Sequence, residues 1–220
     1  MNVNDITKSA PRPSYPKCQL WHIFHRQQEL MDKYHIIEQR NGFRITVHDL
    51  HDRFAQHRLK DFAWRITEEL AEASEAMRLH PGTNHGIEEI ADAYHFLVEL
   101  SLMVGWTADI FTEQLQLGPS DRLDQMFKYA YQTRDQTRPT VYEAFWFFTE
   151  TLGITMNRLK NKPWKTTHMM TDTTKFHTSL AQTHCAFMVL CASLELTAGD
   201  LYRIYFQKSE VNKFRQRTNY

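Results

Sequence analysis

Apolar residues along this chain recur every three to four positions, with no sustained alternation, which is the period of helices and not of strands. The pattern predicts helices at about Leu20 to Glu38, Val47 to Asp49 running on to Arg58, Leu59 to Leu79, Gly86 to Val104, Thr107 to Leu115, Asp121 to Gln132, Thr140 to Leu159, Lys175 to Leu194 and Ala198 to Arg217. Seven glycines and seven prolines in 220 residues leave too few turns for a strand-and-turn architecture. The expected fold class is all-α.

The pattern also repeats. The stretch from Thr140 through Asn161-Lys162-Pro163-Trp164-Lys165 to Tyr202 echoes the earlier half, with Asp200-Leu201-Tyr202 after Thr197-Ala198 mirroring Asp109-Ile110-Phe111 after Thr107-Ala108. In that register Phe96 matches Phe187, while Asp92 falls on Thr183, Glu89 on Leu180 and Glu69 near Thr149. Two fused helical hairpins, about 59–104 and about 140–195, would then form a four-helix core. The second keeps the packing pattern and lacks the acids of the first.

Those acids are the main chemical signal. Glu69 and Glu72 stand three residues apart, as do Glu89 and Asp92, so each pair shares a helix face. Between them His80 to Gly86, with Pro81 and two glycines, breaks the helix and permits a reversal. At about 1.5 Å per residue the first pair lies roughly 13 Å before the turn and the second about 10 Å after it. Folded back, the pairs face each other at nearly one height. Four converging carboxylates with no matching basic cluster call for a hard divalent cation. An ExxE pair alone is most often a solvated helix face, but Ile90, Ala91, Tyr94, Phe96, Leu97 and Leu100 make the second helix apolar on more than one side. Glu89 and Asp92 are then hard to keep in water, and buried acids are paired or metal-bound. An oxygen-only set with no nearby cysteine points to magnesium, with manganese as a substitute. Glu68, about 100° off the ligand face, is the candidate to orient or deprotonate a bound water, and Glu75 is a weaker one.

Composition narrows the partners. Lysine plus arginine equals aspartate plus glutamate at 26 each, so no global field favours nucleic acid or an anionic membrane. Three cysteines, Cys18, Cys185 and Cys191, offer no disulfide framework, and the longest apolar run is far short of a membrane span. The first 17 residues are polar with three prolines, read as a flexible segment without a signal peptide's apolar core, so residues 18–220 are expected to form one soluble, cytoplasmic domain. Local basic character appears only near the end, where Lys208, Asn212 and Arg215 make one helical stripe suited to phosphates, or an ordinary basic helix end. Gln28 and Asp32, one turn apart beside Trp21, Phe24 and Met31, suit the reading of a base edge, or an exposed helix face. The stretch His48 to Phe54 superficially matches an HD-type phosphohydrolase motif, but no downstream set of histidines and aspartates completes it.

Taken in order, ExxE, a break, ExxD followed by His95-Phe96, and a terminal K-x-x-x-N-x-x-R-Q ending in tyrosine resemble the dimeric all-α dUTPases and phage dCTPase/dUTPases of the MazG-related pyrophosphatase superfamily. The resemblance runs from the Gln28 helix to Tyr220. It implies magnesium held by Glu69, Glu72, Glu89 and Asp92, and pyrophosphate release from a deoxynucleoside triphosphate, dUTP first and dCTP second. It implies that Lys208, Asn212, Arg215 and Tyr220 contact phosphate or sugar, that Gln28 and Asp32 lie near the base, and that His95 and Phe96 touch substrate. A homodimer is implied as well, in a phage-encoded nucleotide-pool setting. Two departures stand out: the tryptophan-lysine motif that relatives carry after the first acidic helix is replaced by RLHPGTNHG, with NKPWK only at Asn161 to Lys165, and the terminal glycine-tyrosine is Asn219-Tyr220. The alternatives are the same chemistry on dTTP, a modified pyrimidine or a purine triphosphate, or a catalytically silent helical binding protein.

Overall fold

The computed structural model describes residues 18–40, 50–118 and 122–218. Among them are eight helices and no strand: α1 (Gln19–Arg40), α2 (Arg53–Leu79), α3 (His85–Met103), α4 (Ala108–Gln114), α5 (Arg122–Thr137), α6 (Val141–Asn157), α7 (Thr173–Ser193) and α8 (Ala198–Thr218). The expected break between Arg58 and Leu59 is absent. From Arg53 to Leu79 there is no glycine or proline, and Gln56, Leu59, Phe62, Ala63, Ile66 and Leu70 form one buried stripe, so a single helix results. Val47 to Asp49, the segment 1–17 and the Asn219-Tyr220 terminus lie outside the described residues. The other boundaries move by a few residues, the largest shift being α5, which runs on to Thr137.

Two hairpins organise the chain. α2 packs along α3 and α6 along α7, and α1 and α8 close over α3 from one side. α3 is the central helix, with Ile90, Ala93, Tyr94, Leu97, Val98 and Leu100 fully buried. The hairpins are bridged by aromatic rings: Tyr94 stacks on Phe187 at 5.0 Å, and Phe148 meets Phe187 edge-on at 5.3 Å.

The ends of the hairpins repeat closely. α3 closes with Trp106 N–H donating to Ser101 O across Gly105 at φ +85°, and α7 with Leu196 N–H donating to Cys191 O across Glu195 at φ +60°. Thr107 then caps α4 by accepting from Ile110 N–H, and Thr197 caps the start of α8 by accepting from Asp200 N–H. At the position in register with Asp92, Thr183 hydrogen-bonds Thr155 at 2.9 Å, both fully buried. The second hairpin thus fills the equivalent height with two neutral, mutually satisfied hydroxyls. The α6 side of this pair is Thr155, about one and two-thirds turns beyond Thr149.

No single described helix is long and apolar enough to cross a membrane; α7 with α8 passes only as a pair bent by 103°.

Candidate active site

The turn between α2 and α3 sets the height at which the acids meet. Gly82, at φ +85°, takes the left-handed conformation that reverses the chain. Gly86 lies buried in the first turn of α3, where a Cβ would stand 2.6 Å from Met77 Cγ and 3.0 Å from Ala73 O. This close approach of α3 to α2 brings Glu69, Glu89 and Asp92 together, with an oxygen of each within 4.8 Å of the others.

Three carboxylates converge there, not four. Glu72, one turn beyond Glu69, is exposed and stands outside this group, although its charge still bears on Glu69. The expectation of no matching base is corrected too. Lys208 Nζ lies 2.5 Å from Asp92 Oδ2 and 4.0 Å from Glu89 Oε1, and His85 Nδ1 lies 3.1 Å from Glu89 Oε1. The stripe on α8 reaches the acids because α8 folds back over α3, which a linear reading of charge does not foresee.

Burial, then the charges of Asp92, Glu72 and Glu89, push the Glu69 carboxyl up to about 8. Burial also raises Glu89, against the opposing pull of Lys208. Glu69 therefore holds a proton shared with Glu89 in the absence of a cation. Lys208 is held charged: burial disfavours the ammonium, but Asp92 and then Glu89 more than offset it. An all-carboxylate donor set under mutual repulsion, closely spaced and half-buried, fits a hard divalent cation.

Beside the acids opens a cavity of about 610 Å³. Two helical stripes form its walls, Arg58, Phe62, Arg65 and Glu69 from α2, and Asp92, His95, Phe96 and Glu99 from α3. Phe62 and Phe96 meet edge-on at 6.1 Å, an apolar flank for a planar group. Asp61 lies 3.2 Å from Arg58 and 3.7 Å from Arg65. Gln28 and Asp32 of α1 line it as well, joined by a 2.8 Å hydrogen bond. Asn212 and Arg215 of α8 also line it.

His95 is buried, stacked on Tyr205 at 3.7 Å, with its ring nitrogens 2.8 Å from Gln27 Oε1 and 3.1 Å from Tyr205 O. Burial pulls its pKa down to about 4, so the ring is neutral near pH 7. Gln27 accepts from the Tyr205 hydroxyl and donates to Glu99, so one network fixes α1, α3 and α8 around the cavity. Gln27, Glu99, Tyr205, Arg58, Phe62 and Arg65 were not singled out from the sequence. Glu99 had a legible signal, since it continues the Asp92, His95, Phe96 stripe by one turn.

Glu68 is exposed, accepts from Trp64 Nε1 at 2.9 Å, and does not line the cavity. Glu75 is exposed and 3.9 Å from Arg78. Tyr220 falls outside the described residues. In the HD-like stretch, Asp52 caps α2 by accepting from Ala55 N–H, and His51 holds the loop before α7 through its carbonyl and ring, so these groups serve structure.

No curated protein and no solved structure gives a match. A family model described as dUTPase matches residues 69–220. The match begins at Glu69, within α2, and takes in the rest of that helix, α3, the second hairpin and α8, including all three converging acids and Lys208. On this match, carried by an all-helical chain, the protein belongs to the all-α dUTPase family of nucleoside triphosphate pyrophosphohydrolases.

Proposed function

We propose that the protein is a magnesium-dependent hydrolase that converts a pyrimidine deoxynucleoside triphosphate, dUTP first and dCTP second, to the monophosphate and pyrophosphate. The observation that carries this reading is the meeting of Glu69, Glu89 and Asp92, two of which, Glu69 and Asp92, line a cavity together with Phe96, Gln28 and Asp32. Glu69, Glu89 and Asp92 would hold the cation, with Glu72 joining from the adjacent turn. Bound there, magnesium supplies positive charge against the triphosphate and acidity for water.

The chain's own residues do the rest. Lys208, which pairs with Asp92, would turn to a phosphate oxygen and meet the charge that develops as the phosphoanhydride breaks. Asn212 and Arg215 orient the phosphates and sugar, joined by Tyr220. Phe96 flanks the base, Gln28 and Asp32 address its edge, and His95 fixes the wall behind it through Gln27 and Tyr205. Glu68 is the candidate to take the proton from water on its adjacency to Glu69. That role requires its carboxylate to reach the water from its contact with Trp64, and Glu68→Gln should then lower kcat by about 10²–10⁴. Full turnover in that variant would remove the assignment.

The direct test is a hydrolysis panel over dUTP, dCTP, dTTP and the purine triphosphates, with and without magnesium, reading pyrophosphate. The expected result is magnesium-dependent release from dUTP, weaker from dCTP, abolished by Glu89→Gln while the helical signal persists. Folded protein that releases no pyrophosphate from any of them sinks the reading and leaves a silent binding protein.

A further inference from the structure

The motif at Asn161 to Lys165 takes no part in the acidic centre. It sits in the connection between α6 and α7, and a buried polar network holds that connection rigidly. Asn161 is almost fully buried; its side-chain amide donates to His51 O and Met169 O at 2.8 Å each, and its Oδ1 accepts from Met169 N–H at 2.8 Å. Its backbone N–H donates to Gln56 Oε1 at 2.7 Å, and Gln56, fully buried on α2, donates in turn to Leu50 O and Thr171. Arg53 clamps the far side by donating to Lys165 O at 2.9 Å.

What this rigid connection presents is positive charge. Lys160, Lys162 and Lys165 line a concavity of about 420 Å³ together with Lys60 of α2, and no carboxylate lines it. Among the described residues none of the four lysines enters an ion pair. Lys60 donates to Leu159 O at 2.6 Å, and burial, then Lys162 and Lys160, lower its pKa, a sign that the like charges stand close. Lys162 lies over the ring of Trp164, which is 74% exposed. Lys60 precedes Glu69 by nine positions, about two and a half helical turns, so the basin opens on the opposite side of α2 from the acidic cavity.

We propose that this basin is a second site, for an oligophosphate anion, either free or as the phosphate tail of a nucleotide. Converging ammonium groups without a carboxylate suit an anion with several acceptor oxygens. The Asn161 and Gln56 network holds the connection in place before binding, so little ordering cost is left for the ligand to offset. Trp164 offers an exposed ring on which a base can stack. Asn161 is thus the anchor of the motif, the lysines its ligand-facing part and the tryptophan its platform.

Titration calorimetry on the full chain in low salt with EDTA tests this, since without a divalent cation the carboxylates of the acidic cavity repel phosphate, and a triple lysine variant separates the two sites. Tripolyphosphate should bind at one site and weaken as salt is added. The variant K160S/K162S/K165S should bind about tenfold more weakly or worse, with the circular dichroism and magnesium-dependent turnover of the parent. A nucleoside triphosphate should bind at the same site; equal affinity identifies the free anion as the ligand, and tighter binding lost in Trp164→Ala identifies the nucleotide. No binding of tripolyphosphate to the parent overturns the proposal, as does unchanged binding to the folded triple variant. Binding of a single-stranded oligonucleotide that is far tighter than that of tripolyphosphate and is lost in the triple variant also overturns it, since the basin would then read a polymer.

Discussion

Lys208 sets an ammonium against the converging carboxylates of the acidic centre. Its ammonium is 2.5 Å from Asp92, with both side chains about one-fifth exposed, so the pair is shielded enough to matter. Lys208→Met leaves Asp92 facing Glu69 and Glu89 without a counter-charge. Stability without divalent cations should fall by about 1–3 kcal/mol. The thermal shift on adding magnesium should grow relative to the parent, because metal no longer displaces an ammonium. A shift equal to or smaller than the parent's would contradict this competition. A second residue acts on stability alone. His184 is fully buried, takes a 2.8 Å hydrogen bond with Ser101, and burial lowers its pKa to about 3. The folded state keeps it neutral while the unfolded chain protonates it near 6.5, so its contribution is intact above about 6.5 and is lost as pH falls from there towards 3. Urea midpoints measured from pH 7 to pH 5 should therefore decline, and less steeply in His184→Gln. Equal slopes would assign the decline to other groups.

The α2–α3 hairpin is the element whose geometry the chemistry depends on. Gly86 lets α3 approach α2 so closely that a methyl group would collide with Met77 and the Ala73 carbonyl. Gly86→Ala should cost about 1–3 kcal/mol by overpacking and loosen the meeting of the three acids. A thermal melt unchanged from the parent would show that Met77 yields freely. At this scale the sequence was informative about periodicity, and the all-α class and the helices of both hairpins are close to where the pattern put them, with the repeated Thr107 and Thr197 positions both capping the helix that follows. It misled at Arg58-Leu59, where composition gave no reason to break and the continuous buried stripe joins two expected helices. Spacing put Glu72 on the face of Glu69, and it left open how squarely that face meets the partner helix: Glu69, Glu89 and Asp92 meet, and Glu72 stands one turn beyond them.

At the scale of the molecule, α6 leaves Tyr142, Trp146, Phe147 and Ile154 between 45% and 79% exposed. Such a row of large apolar groups suits burial against a second copy of the chain. Sedimentation should show a dimer, and Trp146→Glu should shift it towards monomer; a parent that sediments as a fully active monomer would dismiss the homodimer. Helix content, hairpin duplication and the loss of acids in the second hairpin follow from the sequence alone, because periodicity and residue type are local properties. The partnership of Lys208 with Asp92, the His95, Gln27 and Tyr205 wall and the lysine basin were decided only by tertiary structure. Each joins side chains from segments far apart in the chain, and which of them meet depends on how the helices pack, which no local pattern encodes.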